Sequence, residues 1–477
     1  MANNVKNLNG IAIANIKNLN GITDANLKNL NSEEFTGVPP DVDASVISIT
    51  NNQYESGDVN GAAFAYDEDN NVFGVTYGDG SNNLYPTVIL GSISGTTITW
   101  GSEVVLESSA MSGTCGMAYD TGNNRFVCGT IEAGARNTPK VVGASVNTSG
   151  NPYIDNVSSI VTIHSPAASK SVGISPLGNY FIYDPAGSRT LAYFAKDGSV
   201  NAEDAVLCSI TFDDVSTDNT VSASDLQVVE DGSASFRQDS NYCYDSTANK
   251  VVRVGQDKSG TYQLTAQVIS GTGDTITVGS TDLYANASIA VHNENHGGSS
   301  LGRHRMDNNR RLCHANGVNH FLFWDDSVDD FVISNFSVSG TTATWQESSG
   351  SPVKSGGIVS EESGNLTQGK TSGWASNVFM TFGMGSSSTH NRLVVYGPAG
   401  TSASSDLNAQ VVSYDGSSYT FEGSLFTAVS GSVYEQIDCT GWQSSDPATF
   451  LSGAVIGIGN PSDDSGGRIW AVNPGNT

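Results

Sequence analysis

From residue 59 onward, short apolar runs alternate with turns rich in Gly, Asn, Asp and Ser, and the runs recur in a fixed order. The stretches "GAAFAYDEDNNVFGVTYGDG" (61–80) and "TCGMAYDTGNNRFVCGTIEAG" (114–134) share one plan: an apolar strand, Ala-Tyr-Asp, an Asn-Asn turn and a second apolar strand. Tyr66 and Tyr119 stand 53 residues apart. A third and a fourth strand follow each pair, "PTVILGSISG" with "TTITWGSEVVLE" and "PKVVGASVNTSG" with "YIDNVSSIVTI". Alternating runs of this length, bounded by such residues, predict antiparallel hairpins.

Weaker copies extend the pattern: "CYDSTANKVVRVGQD" (243–257), "YQLTAQVISGTGDTITVGS" (262–280), "FVISNFSVSGTTATWQES" (331–348) and "VVSYDGSSYTFEGS" (411–424). Units fall near 61–107, 114–163, 171–230, 234–285, 300–348, 357–426 and 437–474, with 171–212 the poorest fit. A four-stranded unit repeated without helices predicts an all-β fold, a β-propeller of seven four-stranded blades. The last unit is one strand short, and "ASVISITNNQYES" (44–56) is expected to complete it. The chain thus divides into a short non-globular segment, 1–40, and a propeller, 41–477. Two β-sandwiches share this strand spacing; the recurring Tyr-Asp and Ser-Gly-Thr phrases favour one repeated unit.

The opening segment has its own period. Lys-Asn-Leu-Asn recurs at Lys6, Lys17 and Lys28, every eleven residues. Val5, Leu8, Ala12, Ile16, Leu19, Thr23, Leu27 and Leu30 follow a 3-4-4 spacing that suits a slightly right-handed helical bundle. Asn and Gly disfavour helix interiors, so an extended, turn-punctuated peptide is the alternative. Either form has too little apolar mass to fold alone, and Val5, Leu8, Ile16, Leu19, Leu27 and Leu30 are expected to dock on partner chains.

Composition narrows the classes. Of 477 residues, 53 are Gly and only 14% are charged, which is turn chemistry. Lys+Arg is 21 against Asp+Glu 48, a net charge of −27 that argues against nucleic-acid binding. No apolar run reaches membrane-spanning length and no signal peptide is read at the N-terminus. The six cysteines (115, 128, 208, 243, 313 and 439) lack metal or disulfide spacing and read as buried free thiols.

The phrases "AYD…NN…GSISGTTITWGSEVV" and "NIKNLNGITDANLKNLNS" resemble bacteriophage tail-fibre and other virion-appendage proteins, which combine propeller-like repeats with N-terminal Asn-Leu-Asn-Gly repeats. The resemblance implies a virion structural protein: a fibre, spike or capsid decoration. Its N-terminus would join other virion proteins, as a homo-oligomer in the particle, and its propeller would meet a host surface glycan or protein or stabilise the particle. It carries no catalytic residues, so the expectation is a non-enzymatic chain located in the virion. The alternative is a glycan-degrading depolymerase or glycosidase on the same scaffold.

One stretch stands out chemically. Residues 291–320 hold His292, His296, His304, His314 and His320 with Arg303, Arg305, Arg310 and Arg311, a cationic island on an acidic chain. His292, His296, Arg303, His304, Arg305, Arg310 and Arg311 form a candidate patch for an anionic ligand or neighbour. The spacing lacks HExxH, so no metal is assigned. The acidic turns 67–71 and 325–330 lack EF-hand spacing and read as turn chemistry. No cofactor is expected. "SGTTITW" and "SGTTATW" lack the Asp of a sialidase box, and Trp100, Trp345, Trp374, Trp442 and Trp470 read mostly as core. Paired catalytic carboxylates from different blades are not locatable by spacing.

Overall fold

The computed structural model describes residues 48–67, 69–94, 96–133, 138–165, 171–173, 181–198, 204–212, 221–230, 240–256, 264–283, 312–315, 317–325, 330–346, 383–387, 392–398, 407–414, 416–417, 419–429, 436–440, 454–458 and 467–473, and six short strands before them. Among these residues the chain is all-β apart from a single 3-10 turn, Gly80–Asn82.

The strands form successive antiparallel sheets over 59–105, 111–162, 171–230, 240–283, 312–345, 383–429 and 436–473. Within each sheet, chain order is spatial order. The first strand of each sheet lies against the first strand of the next, and Gln436–Thr440 of the last lies against Val59–Asp67 of the first. This cycle of contacts closes a ring, the β-propeller. Its last sheet is completed from the other end of the chain: Ser48–Gln53 pairs antiparallel with Arg468–Asn473, from Gln53 opposite Arg468 to Ser48 opposite Asn473. An otherwise exposed edge is thereby paired.

Radial stacking buries both faces of a sheet, so a strand reads as a continuous apolar run. Val72–Asp79 is buried at every residue. The cores lie between blades: Ala63, Val88 and Leu90 of the first pack with Met117, Phe126 and Val142 of the second. Each of these side chains larger than Ala63 contributes about 1.5–3 kcal/mol. Gly74 permits the approach, since a Cβ there would lie 2.3 Å from Met117 Cε. Leu191 and Leu207 of the third blade meet Val251 and Ile269 of the fourth in the same way.

The recurring Tyr-Asp phrase closes the first turn of a blade. Asp67 Oδ1 accepts the N–H groups of Asp69 and Asn70 at 3.1 and 3.2 Å. Asp120, Asp184 and Asp245 do the same for Asn123 (3.0 Å), Gly187 (3.0 Å) and Thr247 with Ala248 (2.9 and 2.8 Å). Each turn ends on a left-handed residue, Asn71, Asn124, Ser188 or Asn249, at φ 54, 51, 52 and 53°. In three of them the tyrosine hydroxyl reaches that asparagine: Tyr66–Asn71 2.6 Å, Tyr119–Asn124 2.5 Å, Tyr244–Asn249 3.2 Å. The 67–71 turn therefore uses Asp67 for its own amides. In the poorly fitting third unit the first strand is broken into Ser171–Gly173 and Phe181–Asp184.

The opening repeats are hairpins. Asn7–Leu8 pairs with Ile11–Ala12, Asn18–Leu19 with Ile22–Thr23, and Asn29–Leu30 with Glu33–Glu34. Extended pairing replaces the helical alternative at these positions. The register leaves only Asn9-Gly10 and Asn20-Gly21 between the first two pairs, the dipeptide that two-residue hairpins favour.

Candidate functional site

The fifth blade departs from the turn rule. Its first hairpin pairs His314 with Asn319 and Ala315 with Val318, so His314 occupies the register of the tyrosines and Ala315 that of the aspartates. Two residues link these strands, where four link Asp67 to Val72. With no aspartate of its own, this hairpin leans on the fourth blade's turn.

A chain of polar contacts results. Asn319 Nδ2 donates to Asp245 Oδ2 at 2.8 Å and faces the Phe336 carbonyl at 3.5 Å. Both partners only accept, which fixes the amide and leaves Asn319 Oδ1 as an acceptor. His314 Nδ1 lies 3.1 Å from that oxygen and 3.5 Å from Asp245 Oδ1, so Nδ1 carries the proton. In the neutral ring the lone pair of Nε2 then faces Thr247 Oγ1 at 3.2 Å, and the threonine hydroxyl donates to it. Asp245 and Asn319 are buried and Thr247 is exposed, so a rigid acceptor chain ends in a solvent-facing hydroxyl. A hydroxyl, an imidazole and an orienting amide and carboxylate in this order are the parts of an activated nucleophile. Gly317, at φ 75°, adjoins this hydroxyl: a Cβ there would stand 3.7 Å from Thr247 Oγ1, at ordinary contact.

His320, from the same stretch of sequence, is core. It is fully buried, Nδ1 meets Tyr419 Oη at 2.7 Å, Nε2 meets the Ala315 carbonyl at 3.3 Å, and Asn335 Nδ2 donates to the same Tyr419 oxygen at 3.0 Å. Burial lowers its pKa to about 3, with the Ala315 contact opposing the shift. The candidate patch residues, His292, His296, Arg303, His304, Arg305, Arg310 and Arg311, lie outside the described residues. So do Val5, Ile16 and Leu27, whereas Leu8, Leu19 and Leu30 each sit in a hairpin strand. Trp345 is buried and Trp100 packs against the first blade's core. Trp374 and Trp442 lie outside the described residues.

A search against protein-family models finds no match, and a search of curated proteins finds none. Solved structures give distant likenesses. A puromycin-hydrolyzing peptidase of Mycobacterium tuberculosis is 10% identical with TM-score 0.39, over 85% of this chain and 49% of that one. The Hadza microbial sialidase Hz136 is 9% identical with TM-score 0.38, over 87% and 65%. The soluble aldose sugar dehydrogenase of Escherichia coli is 11% identical with TM-score 0.38, over 90% and 100%. The chain thus spans about half the peptidase's length and under two thirds of the sialidase's. The expectation of a non-enzymatic chain is corrected: these similar structures are enzymes by name. Likeness at this level assigns no activity, so the chemistry has to come from the chain's own residues.

Sequence reading named His314 but missed Thr247 and their pairing, because 67 residues and a blade boundary separate them. The available signal was a histidine in a register where the first four blades carry tyrosine.

Proposed function

We propose that this protein is a hydrolase of acyl esters on surface glycans, carried as a virion appendage. The observation that supports it is the Thr247–His314–Asn319–Asp245 chain, with Thr247 open to solvent. Thr247 Oγ1 attacks the acyl carbon while His314 Nε2 takes its proton. His314 returns that proton to the departing sugar oxygen as the ester C–O bond breaks. Water, deprotonated by the same nitrogen, then releases the acid and restores the hydroxyl. Asn319 and Asp245 hold the ring and its tautomer. The N-terminal hairpin repeats, which precede the ring-closing strand, fasten the ring to other virion proteins and leave the blades facing outward.

The test is acetate release from p-nitrophenyl acetate and from an O-acetylated polysaccharide. Thr247→Ala is expected to lower turnover on the order of 10³-fold or more, and Thr247→Ser to retain it. Equal turnover by Thr247→Ala and the parent would refute the assignment. Sugar release without acetate release would favour glycosidic cleavage instead.

A further inference from the structure

Where the ring closes, three carboxylates converge. Glu55 follows the closing strand Ser48–Gln53, Asp79 ends the first blade's second strand, and Glu103 lies between Thr97–Trp100 and Val104–Val105. One oxygen from each lies within 4.8 Å of the others. Glu55 and Asp79 are buried and Glu103 is exposed. Among the described residues no Lys or Arg pairs with any of them.

The backbone holds this cluster in place. Glu55 Oε1 accepts the Gly57 N–H at 2.5 Å, and Asp79 Oδ1 accepts the Ser81 N–H at 2.9 Å and hydroxyl at 2.6 Å. These bonds use Oε1 and Oδ1 and leave Oε2 and Oδ2. The Gly80 N–H donates to the Asp58 carbonyl at 2.8 Å, locking the segment after Glu55 to the turn after Asp79. A separate observation points to a ligand. Tyr77 is fully buried, its hydroxyl faces Glu103, and it makes no hydrogen bond of ordinary geometry. A buried hydroxyl without such a partner costs free energy unless something occupies the space it faces. Buried like charges without a counterion are also costly.

We propose that Glu55, Asp79 and Glu103 bind a divalent cation, with the Tyr77 hydroxyl turned toward the site. The donors are all hard oxygens in an irregular cluster, which suits calcium better than magnesium, whose geometry is stricter. The ion ties the segment leaving the last blade to the first blade, so it acts as a clasp on the ring. Asp67 in the acidic turn at 67–71 is differently used, because its oxygens face that turn's own amides.

The experiment uses the full chain stripped with EDTA. Terbium is the first probe, since Tyr77 beside the site sensitises its luminescence; calcium is the second, read by calorimetry and by Tm. Terbium emission that calcium displaces is expected, together with a Tm that rises with calcium and not with equal magnesium. Glu103→Gln, at an exposed position, is expected to weaken calcium binding about tenfold or more and keep the parent's Tm in EDTA. Absence of sensitised emission, or equal calcium affinity in Glu103→Gln, would overturn the site.

Discussion

The seam between the second and third blades and that between the fourth and fifth use the same register differently. In the former, Tyr183 Oη accepts the Gly122 N–H of the preceding turn at 3.0 Å, and burial raises the Tyr183 pKa. In the latter, His314 reaches the preceding turn and meets a side-chain hydroxyl, Thr247. A phenol there can only staple two blades, whereas an imidazole with a fixed tautomer staples them and accepts a proton. The difference teaches that in a repeat protein the chemistry can lie where a blade breaks the rule that the four blades before it keep.

The largest stability effect should come from the ordinary side of this comparison. Arg189, fully buried, pairs with Asp184 at 3.1 Å and donates to the carbonyls of Gly273, Thr275 and Ser270 in the next blade at 3.0, 2.6 and 3.1 Å. Arg189→Met leaves a buried carboxylate and three carbonyls without these donors, so denaturant unfolding should show a loss of about 3–5 kcal/mol. A loss under about 1 kcal/mol would mean that the seams are held by apolar packing alone. Next in size is the acid response of His320. Its pKa is about 3 in the folded chain and roughly 6.5 when unfolded, so the unfolded state binds the extra proton between those values. Stability is therefore full above about pH 6.5 and falls toward pH 3 by up to about 1.4 kcal/mol per unit. Unfolding curves between about pH 7 and about pH 4 should show a shallower slope for His320→Gln. An identical slope would remove His320 from the acid response.

The ring was legible because its rule is local and repeated. Ala-Tyr-Asp followed by Asn-Asn encodes a turn that caps itself, and radial stacking turns apolar runs into strands buried on both faces. The closing strand was legible because the last unit lacked one. The hairpins of the opening repeats were only half legible: the 3-4-4 spacing suggests a helix, while Asn9-Gly10 and Asn20-Gly21 specify tight turns. The two clusters of chemistry were not legible. Thr247 with His314, and Glu55 with Asp79 and Glu103, come from elements that meet only when the ring forms. His314 and His320 sat in one cationic-looking stretch, yet one is oriented by Asn319 and the other is buried against Tyr419.

The most direct measurement converts the exceptional seam into the ordinary one. His314→Tyr keeps a ring at that register and removes the proton acceptor. Acetate release and Tm are measured on the same sample. The predicted result is loss of hydrolysis, on the order of 10³-fold or more, with Tm within a few degrees of the parent. Hydrolysis at the parent's rate, with the tyrosine in place, would contradict a role for this seam in chemistry.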